Sequence, residues 1–411
     1  ENRILVAGGN GKLLAKWDKD KDKKIPAIFE VLASQEEAFI RWEVELPGDA
    51  EPKVWKDKAL WSQWIAYCSQ TKQEQSLCYV TGHDDFVAEQ HPAKLRNDGD
   101  KAKLISSNDI SGFTFRGRFR TATQAAAVGF ETTQKAHFAL RWLISRQGYR
   151  KGDLAIVAWA TSGAEVPQPM DDSLSLLGVE ILPTDEKSAP PTAQGIALKL
   201  RQRMAGYGKA LGDTADVVVM ALDSATPGRM AITYYRELTG SDFLKRLDGW
   251  HESCAWLHDY RFIEAPTPTS GKVKKRRVPF IGAPAPHDIA EAAYGSGLDD
   301  KLRKATITRL LPCIMDGQPI PRDLVESAVR RACNPLAMDS WEWNKALSIA
   351  CALFRKHNRK EHYDMSLDPN RTTRDYLYGR LLALADSLES WALSAAGEKR
   401  ETNAARLMQR F

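Results

Sequence analysis

Residues 101–120 of the 411-residue chain read KAKLISSNDISGFTFRGRFR. Two short strands, 103–107 and 113–119, are predicted on either side of a polar turn that contains Asn, Asp and Gly. Period-two alternation in the second strand places phenylalanines on one face and the cations Arg116 and Arg118 on the other. Because guanidinium groups bind phosphate oxygens bidentately, this stretch indicates a phosphate-rich ligand rather than a small metabolite.

Basic residues concentrate around this stretch. The whole chain has a formal net charge of only +5, so bulk composition does not indicate nucleic acid. Residues 94–151, however, contain 12 Lys/Arg against 4 Asp/Glu, whereas the first sixty residues contain 11 against 12. A local basic excess of this kind is typical of a surface that binds a polyanion. A solvated basic surface without a ligand is the alternative.

The basic surface is predicted to continue into a helix over residues 121–147. That segment carries Lys135, Arg141 and Arg146, and no acidic residue follows Glu131. The sequence therefore predicts a binding surface built from the two strands and the helix together, over residues 94–151.

Apolar patterning predicts an α+β fold with a mixed, mostly antiparallel sheet. Residues 153–160 (DLAIVAWA) have the composition of a buried strand. Residues 216–223 and 229–236 flank SATPG, which predicts a hairpin. Helical patterns occupy 189–206 and 241–256.

Two domains joined by a linker are predicted from the change in pattern along the chain. Residues 1–265 form an α/β nucleic-acid-binding domain, 266–286 a basic Pro/Gly-rich linker or loop, and 287–411 an all-α helical bundle. In the bundle, four leucines at helical spacing are assigned to the core: Leu377, Leu381, Leu384 and Leu388.

Cysteine usage and hydropathy indicate a cytoplasmic protein. The six cysteines are scattered without a CxxC pair, which favours free thiols in a reducing compartment. There is no run of 18 apolar residues and no signal-peptide pattern. The chain begins with Glu1 rather than Met and ends within a helical pattern, so we expect a fragment or the ordered part of a longer protein.

The catalytic motifs that we searched for are absent or incomplete in this sequence. The glycine-rich residues 8–12 lack the spacing and the Ser/Thr of a phosphate-binding loop. No GxSxG, HExxH or EF-hand pattern occurs. Three His-Asp pairs, at 83–84, 258–259 and 287–288, are the only hint of a metal phosphohydrolase, and a structural role is favoured because a metal site needs several converging ligands. We predict no catalytic residue, cofactor or metal.

The candidate nucleic-acid-binding residues are therefore chosen for side chains that can contact base edges or phosphates. Neutral hydrogen-bonding groups suited to base edges are Ser106, Ser107, Asn108 and Thr114. Cations suited to phosphates are Lys103, Arg116, Arg118, Arg120 and Lys135, with a second cluster at Lys274, Lys275, Arg276 and Arg277. For that second cluster, a solvated loop or an accidental likeness to a nuclear-localisation signal is the alternative.

Eight segments resemble the large subunit of the type I-C CRISPR surveillance complex, Cascade. They are CYVTG (78–82), AEQHPAK (88–94), KLISSND (103–109), GFTFRGRF (112–119), TQKAHFALRWLI (133–144), FIGAPAPHDIAEAAYG (280–295), RLLPCIMDGQPIPRDLVESAVRRA (309–332) and RTTRDYLYGRLLALAD (371–386). Residues 1–76 match less distinctly. The family normally has a further N-terminal section and a longer C-terminal end.

The resemblance implies a non-catalytic subunit of an RNA-guided antiviral complex. Members bind the short motif that flanks the target (the PAM), help open the duplex, guide the displaced strand and recruit a separate helicase-nuclease. The implied partners are CRISPR guide RNA, target double-stranded DNA, and the backbone, guide-processing and small subunits of Cascade. It also implies that the C-terminal helices resemble a small subunit. No residue here matches an established PAM contact, so the roles given to Asn108 and the arginines rest on chemistry alone.

Two other functions stay open at this point. A metal-dependent nuclease could use the His-Asp pairs, and a basic assembly protein could bind acidic protein partners without any direct DNA contact.

Overall fold

The computed structural model describes residues 5–8, 12–18, 24–32, 34–45, 47–48, 51–70, 74–106, 119–178, 193–212, 215–226, 228–266, 273–408 and 410. Contacts divide the chain into two units, Glu1–Val87 with Gly129–Glu131, and Ala88–Val128 with Thr132–Phe411. The predicted domain borders at 265 and 287 both fall inside the second unit. The division into two domains and a linker stays a prediction.

The first unit contains short elements. They are α1 (Ala27–Val31), α2 (Lys58–Gln70), β1 (Gln75–Leu77) and β2 (Asp84–Phe86). The two strands pair antiparallel, with Gln75 opposite Phe86. The buried Gln35 side chain accepts a hydrogen bond from Val6 N (2.9 Å) and donates to Val6 O and Leu14 O (2.7 Å each). This amide thereby joins the 3-10 helix at Gln35–Glu37 to the main chain at Val6 and Leu14.

A four-stranded antiparallel sheet in the order β3-β4-β5-β6 forms the centre of the second unit. The strands are β3 (Tyr149–Lys151), β4 (Leu154–Ala160), β5 (Asp216–Thr226) and β6 (Arg229–Thr239). Ala155 lies opposite Leu222, and Ala160 opposite Val217. The predicted strand at 153–160 and the predicted hairpin are confirmed.

Strand β4 is apolar throughout because both of its faces are covered. On one face Leu154, Ile156 and Ala158 pack in the main core, which also takes side chains from α5 (Ala193–Leu211) and α6 (Gly240–Ser253). On the other face Ala155 and Val157 pack in a second cluster, completed by Leu95, Ala102, Ile144, Leu222 and Met230. Period-two alternation thus sends successive residues into two different clusters.

The predicted helix over 121–147 is wrong as a single element. The structure has α3 (Ala122–Ala125) and α4 (Phe130–Gln147), separated by residues 126–129. Within that gap Ala127 and Val128 are buried, and Val128 O accepts a hydrogen bond from Ala88 N (3.0 Å). Extended pairing of this segment overrides the helix propensity of its alanines.

Four short strands follow the sheet: β7 (Trp256–His258), β8 (Phe262–Pro266), β9 (Val273–Arg277) and β10 (Phe280–Gly282). Strand β8 pairs antiparallel with β9, and β10 with β7. Residues 273–277, placed by the sequence in a linker or loop, are therefore paired strand.

The C-terminal part is helical, as predicted. Its helices are α7 (Pro286–Tyr294), α8 (Asp300–Met315), α9 (Arg322–Ala332), α10 (Ser340–His357), α11 (Arg374–Ala396) and α12 (Asn403–Met408). Asp299 and Asp339 cap α8 and α10 by accepting hydrogen bonds from main-chain N–H groups. The main core runs continuously from β4 to Leu353 of α10. Together these elements confirm the predicted α+β fold class.

The leucine stripe on α11 is exposed, so its assignment to a core is wrong. Leu377, Leu381, Leu384 and Leu388 are 39%, 62%, 60% and 67% exposed. The inward face of α11 instead carries the buried Leu393. Helical spacing identified the stripe correctly, but periodicity does not specify whether the covering partner belongs to the same chain. Among the described residues, no helix has the length and apolar character needed to cross a bilayer.

Candidate nucleic-acid interface

A buried ion pair holds the segment that leads into the basic stretch. Arg96 Nε lies 2.7 Å from Asp100 Oδ2, and Arg96 Nη2 donates to Asp100 Oδ1 at 2.9 Å, with both side chains at most 5% exposed. Arg96 Nη1 also donates to the carbonyl of Asp153 (2.5 Å), and Asp100 Oδ1 accepts from Ala102 N (3.0 Å). This bidentate pair ties residues 96–102 to the start of β4.

The ion pair also sets the pKa of the carboxyl group. Burial alone would raise the pKa of Asp100, but hydrogen bonds from Arg96 and from the main chain outweigh burial and lower it. The carboxylate is therefore ionised at neutral pH, and its ion pair with the Arg96 guanidinium is maintained. Lys94, two residues before Arg96, has a positive φ of 63°, and its N–H donates to Asp100 O (2.9 Å), which closes the loop.

Lys103 is fixed by its main chain at the base of the basic stretch. Its N–H donates to Gly228 O (3.1 Å) and its carbonyl accepts from Met230 N (3.0 Å), so the segment attaches beside the β5–β6 turn. The predicted first strand is otherwise wrong over its described part, because the chain bends after this single bridge. Lys103 Nζ donates to Gln90 Oε1 (3.2 Å), and the side chain is half-buried.

Most of the nucleic-acid-binding residues predicted in this stretch lie outside the described residues. These are Ser107, Asn108 and Thr114, predicted to contact bases, and Arg116 and Arg118, predicted to contact phosphates. Of the others, Ser106 is half-buried, and Arg120 is exposed, with its main-chain N–H donating to Gln124 Oε1 (2.8 Å). The flanks at Lys103 and Arg120 are thus described, and the roles of the residues between them stay predictions.

Helix α4 is joined to this segment by a buried polar cluster. His91 Nδ1 lies 2.8 Å from Thr133 Oγ1, and Thr133 Oγ1 lies 3.1 Å from His137 Nδ1. Burial, together with electrostatic interactions with His137 and Lys103, lowers the pKa of His91 to about 4, so this imidazole is neutral at physiological pH. Because Lys103 binds Gln90, the neighbour of His91, the cluster brings Lys103 and α4 into one region.

The outer face of α4 is both cationic and aromatic. Lys135 lies on it, as predicted, together with Phe138, Trp142 and Arg146. The Arg146 guanidinium carbon is 4.9 Å from the centroid of the Trp142 ring. Arg141 is instead paired with Asp98, Nη2 to Oδ1 2.5 Å, so its charge is locally balanced. Sequence reasoning found the cations here and missed the two aromatics, which their four-residue spacing could have revealed.

The second predicted cation cluster belongs to the β8–β9 hairpin. Lys274, Lys275 and Arg276 lie on β9 opposite Ala265, Glu264 and Ile263. Arg277 is exposed, its Nη2 lies 2.8 Å from Asp259 Oδ2, and its Nε donates to Asp259 O (2.6 Å). Its charge is therefore partly offset by Asp259.

Two of the His-Asp pairs have structural partners. His258 is fully buried between Gly282 O (3.1 Å from Nε2) and Ser348 Oγ (3.0 Å from Nδ1). Asp288 Oδ1 lies 2.5 Å from Lys345 Nζ in a buried ion pair. Within the described part of the chain, no group of three or more His, Cys, Asp or Glu side chains is arranged to hold a metal ion.

Comparison with known protein families identifies the family of this chain. The family model described as CRISPR-associated protein (Cas_Csd1) matches residues 12–411. The chain belongs to the Cas_Csd1 family. The match covers nearly the whole sequence and confirms the resemblance first noticed in short segments, consistent with the large subunit of a type I-C Cascade. No curated protein matches the chain.

Family membership places this Cas_Csd1 chain among CRISPR-associated proteins, and so in a defence system that works with nucleic acid and other Cas proteins. Two of the segments that carried the resemblance can be located in its fold. Residues 280–295 contain β10 and α7, and residues 309–332 contain the end of α8 and all of α9. Both segments are rich in buried residues and contribute to the main core.

Proposed function

We propose that this Cas_Csd1 chain is the non-catalytic large subunit of a type I-C RNA-guided antiviral complex in the cytoplasm. It recognises the PAM of target double-stranded DNA, aids duplex opening, holds the displaced strand and recruits a helicase-nuclease. Guide RNA and the other Cascade subunits are its partners. Pairing with the guide RNA reads the target, while the protein reads only the flanking motif and the shape of the backbone.

The family match carries the proposal, and the described charges support it. Lys103 and Arg120 flank the predicted DNA-contacting stretch, and Lys135 and Arg146 extend the positive surface along α4. The Arg96–Asp100 pair gives that surface a rigid base. Phosphate contacts of this kind position a protein on DNA, while base contacts supply specificity.

The exposed stripe on α11 supports assembly with other subunits. Leu381, Leu384, Leu388 and Trp391 repeat at spacings of three and four residues, as in a heptad seam, and are 60–74% exposed. Ala385, Ser387, Ala392 and Ser394 flank the seam. Small flanking residues allow a partner helix to approach closely, so the stripe suits an amphipathic helix of a neighbouring subunit.

Salt dependence of duplex binding tests the DNA contact. Each neutralised phosphate contributes about −0.9 to the slope of log K against log salt. Changing Arg116, Arg118 and Arg120 together to Ala should therefore flatten the slope by up to about 2–3 units. The matched control removes three exposed cations from the C-terminal helical part, Lys360, Lys399 and Arg406. An equal effect of both triple variants would show only a loss of net charge and would contradict the assignment.

PAM recognition is tested separately with Asn108→Ala. This variant should weaken binding to targets with the correct flanking motif and leave binding to other flanks unchanged, because an amide side chain can contact base edges. The measurement is a competition between duplexes that differ only in the flank. An equal loss on every flank would remove Asn108 from PAM reading.

A further inference from the structure

Two aromatic side chains stand on the solvent-exposed face of α4. Phe138 is 54% exposed and Trp142 is 55% exposed, although large apolar side chains are usually buried. They are four residues apart, so they lie one above the other on the helix surface. The opposite face of α4 packs inward through Thr133, His137 and Ile144. The aromatics are therefore presented to the surroundings by a well-anchored helix.

Cations accompany these rings. The Arg146 guanidinium lies over the Trp142 ring at 4.9 Å, one further turn along the same stripe. Lys135 is exposed on the preceding turn. Residues 132–152 contain five Lys/Arg and no Asp or Glu, and Arg141 among them pairs with Asp98. The stripe thus combines planar apolar rings with net positive charge.

This chemistry differs from that of the exposed stripe on α11. There the side chains are mainly leucines flanked by Ala and Ser, which suits an apolar helix. On α4 the flat rings and the guanidinium suit planar bases joined by phosphates, because aromatic and Arg groups stack on bases while cations bind the backbone.

The spacing of the rings favours single strands over duplexes. One helical turn of four residues separates Phe138 from Trp142 by about 6 Å along the axis. Bases stacked in a duplex are separated by about 3.4 Å along each strand. Neighbouring bases can reach both rings only when they are unstacked, and a duplex interior is not accessible to a helix face of this kind.

We propose that Phe138, Trp142 and Arg146 form a stacking site for the unpaired bases of single-stranded DNA, with Lys135 and Arg146 contacting phosphates. The choice of DNA rests on the proposed function, in which the opened duplex releases a displaced strand. The site adds to that function a physical device that holds the strand, separate from the predicted PAM-reading stretch at 103–120.

Binding of the purified chain to labelled oligonucleotides tests the site. Fluorescence anisotropy with a thymidine 20-mer is compared with an abasic strand of the same length, at one fixed salt concentration. Trp142→Ala should weaken binding to the thymidine strand about 5- to 150-fold and leave abasic-strand binding unchanged, because stacking acts on bases and charge acts on phosphates. Trp142→Phe should restore most of the affinity. Trp391→Ala, which removes a tryptophan that is 74% exposed on α11, is the matched control and should have no effect.

Several results would overturn the site. These are an absence of wild-type binding to the thymidine strand, an equal loss on both strands, or unchanged binding by Trp142→Ala. Tighter binding of a uridine strand than of the thymidine strand would overturn the assignment to DNA. Loss of a co-purifying subunit by Trp142→Ala, with single-strand binding intact, would reassign the stripe to a protein partner.

The same variants separate this inference from the proposed function. A chain that assembles with the other subunits but shows no Trp142 effect refutes only the stacking site. A chain that binds single strands through Trp142 but does not assemble refutes only the proposed function.

Discussion

Replacing Arg96 by Met should strongly destabilise the second unit. The substitution keeps an unbranched side chain but leaves the Asp100 carboxylate, whose side chain is 5% exposed, without its counter-ion. Breaking a buried pair in this way costs about 3–5 kcal/mol, because the remaining charge is desolvated and unpaired. The Asp153 carbonyl and the Ser224 hydroxyl also lose a donor.

Urea denaturation at neutral pH measures this loss. Arg322→Met is the matched control, since Arg322 Nε lies 2.7 Å from Glu326 Oε1 at the same four-residue spacing but is 81% exposed. That surface pair should contribute only about 0.3–0.5 kcal/mol. The double variant Arg96→Met/Asp100→Leu should recover part of the loss, since it removes the stranded charge. If Arg96→Met costs no more than Arg322→Met, the buried pair does not hold the base of the basic stretch.

Three further predictions concern pH, packing and assembly. Folded-state pKa values of about 4 for His91 and His258 and about 3 for His251 lie below the unfolded value of about 6.5. Because the unfolded chain binds the extra protons, stability should fall as pH drops from about 6.5 towards 4, by about 2 kcal/mol per histidine at pH 5. Urea melts at pH 7 and pH 5 check this, and equal stability at both would contradict it. Gly282→Ala should destabilise by about 1–3 kcal/mol, because a Cβ there would lie 2.2 Å from Cβ of Ser173. Gly249→Ala in α6, where a Cβ meets nothing within 4 Å, should be neutral or stabilising. Thermal melts of the two variants measure this, and an equal effect of both would contradict the close approach of Gly282 to Ser173. Leu381→Ser with Leu388→Ser should leave the fold intact and abolish co-purification of another subunit, whereas Leu198→Ser, 59% exposed on α5, should not. Normal assembly of the double variant would remove the α11 stripe from the interface.

The sheet and most of the helices follow from local pattern. Strand β4 was predictable because a continuous apolar run of seven residues has to be covered on both faces, and α5 and α6 carry clear helical spacing. The break between α3 and α4 was not predictable from the sequence, because the alanine-rich residues 125–127 favour a helix. Only the pairing of Val128 with Ala88, a contact forty residues away, makes the segment extended.

The sequence predicted where the basic residues of the candidate interface lie, but not which side chains are buried or exposed. Counting Lys and Arg located the basic block, and spacing put Lys135 on the helix. Arg96 and Asp100 also stand four residues apart, but sequence cannot show that this pair is buried while Arg322 and Glu326 are exposed. Likewise, Phe138 and Trp142 follow the spacing of a core stripe, and only packing decides which face of α4 turns inward.

Co-purification followed by sequencing of the bound RNA tests the central claim most directly. The chain is expressed with the neighbouring CRISPR subunits, captured through a tag on this chain, and treated to release any nucleic acid. The account predicts that the other subunits are captured together with a guide RNA that contains spacer sequence. Capture of the chain alone, or of a protein assembly that contains no guide RNA, would contradict it.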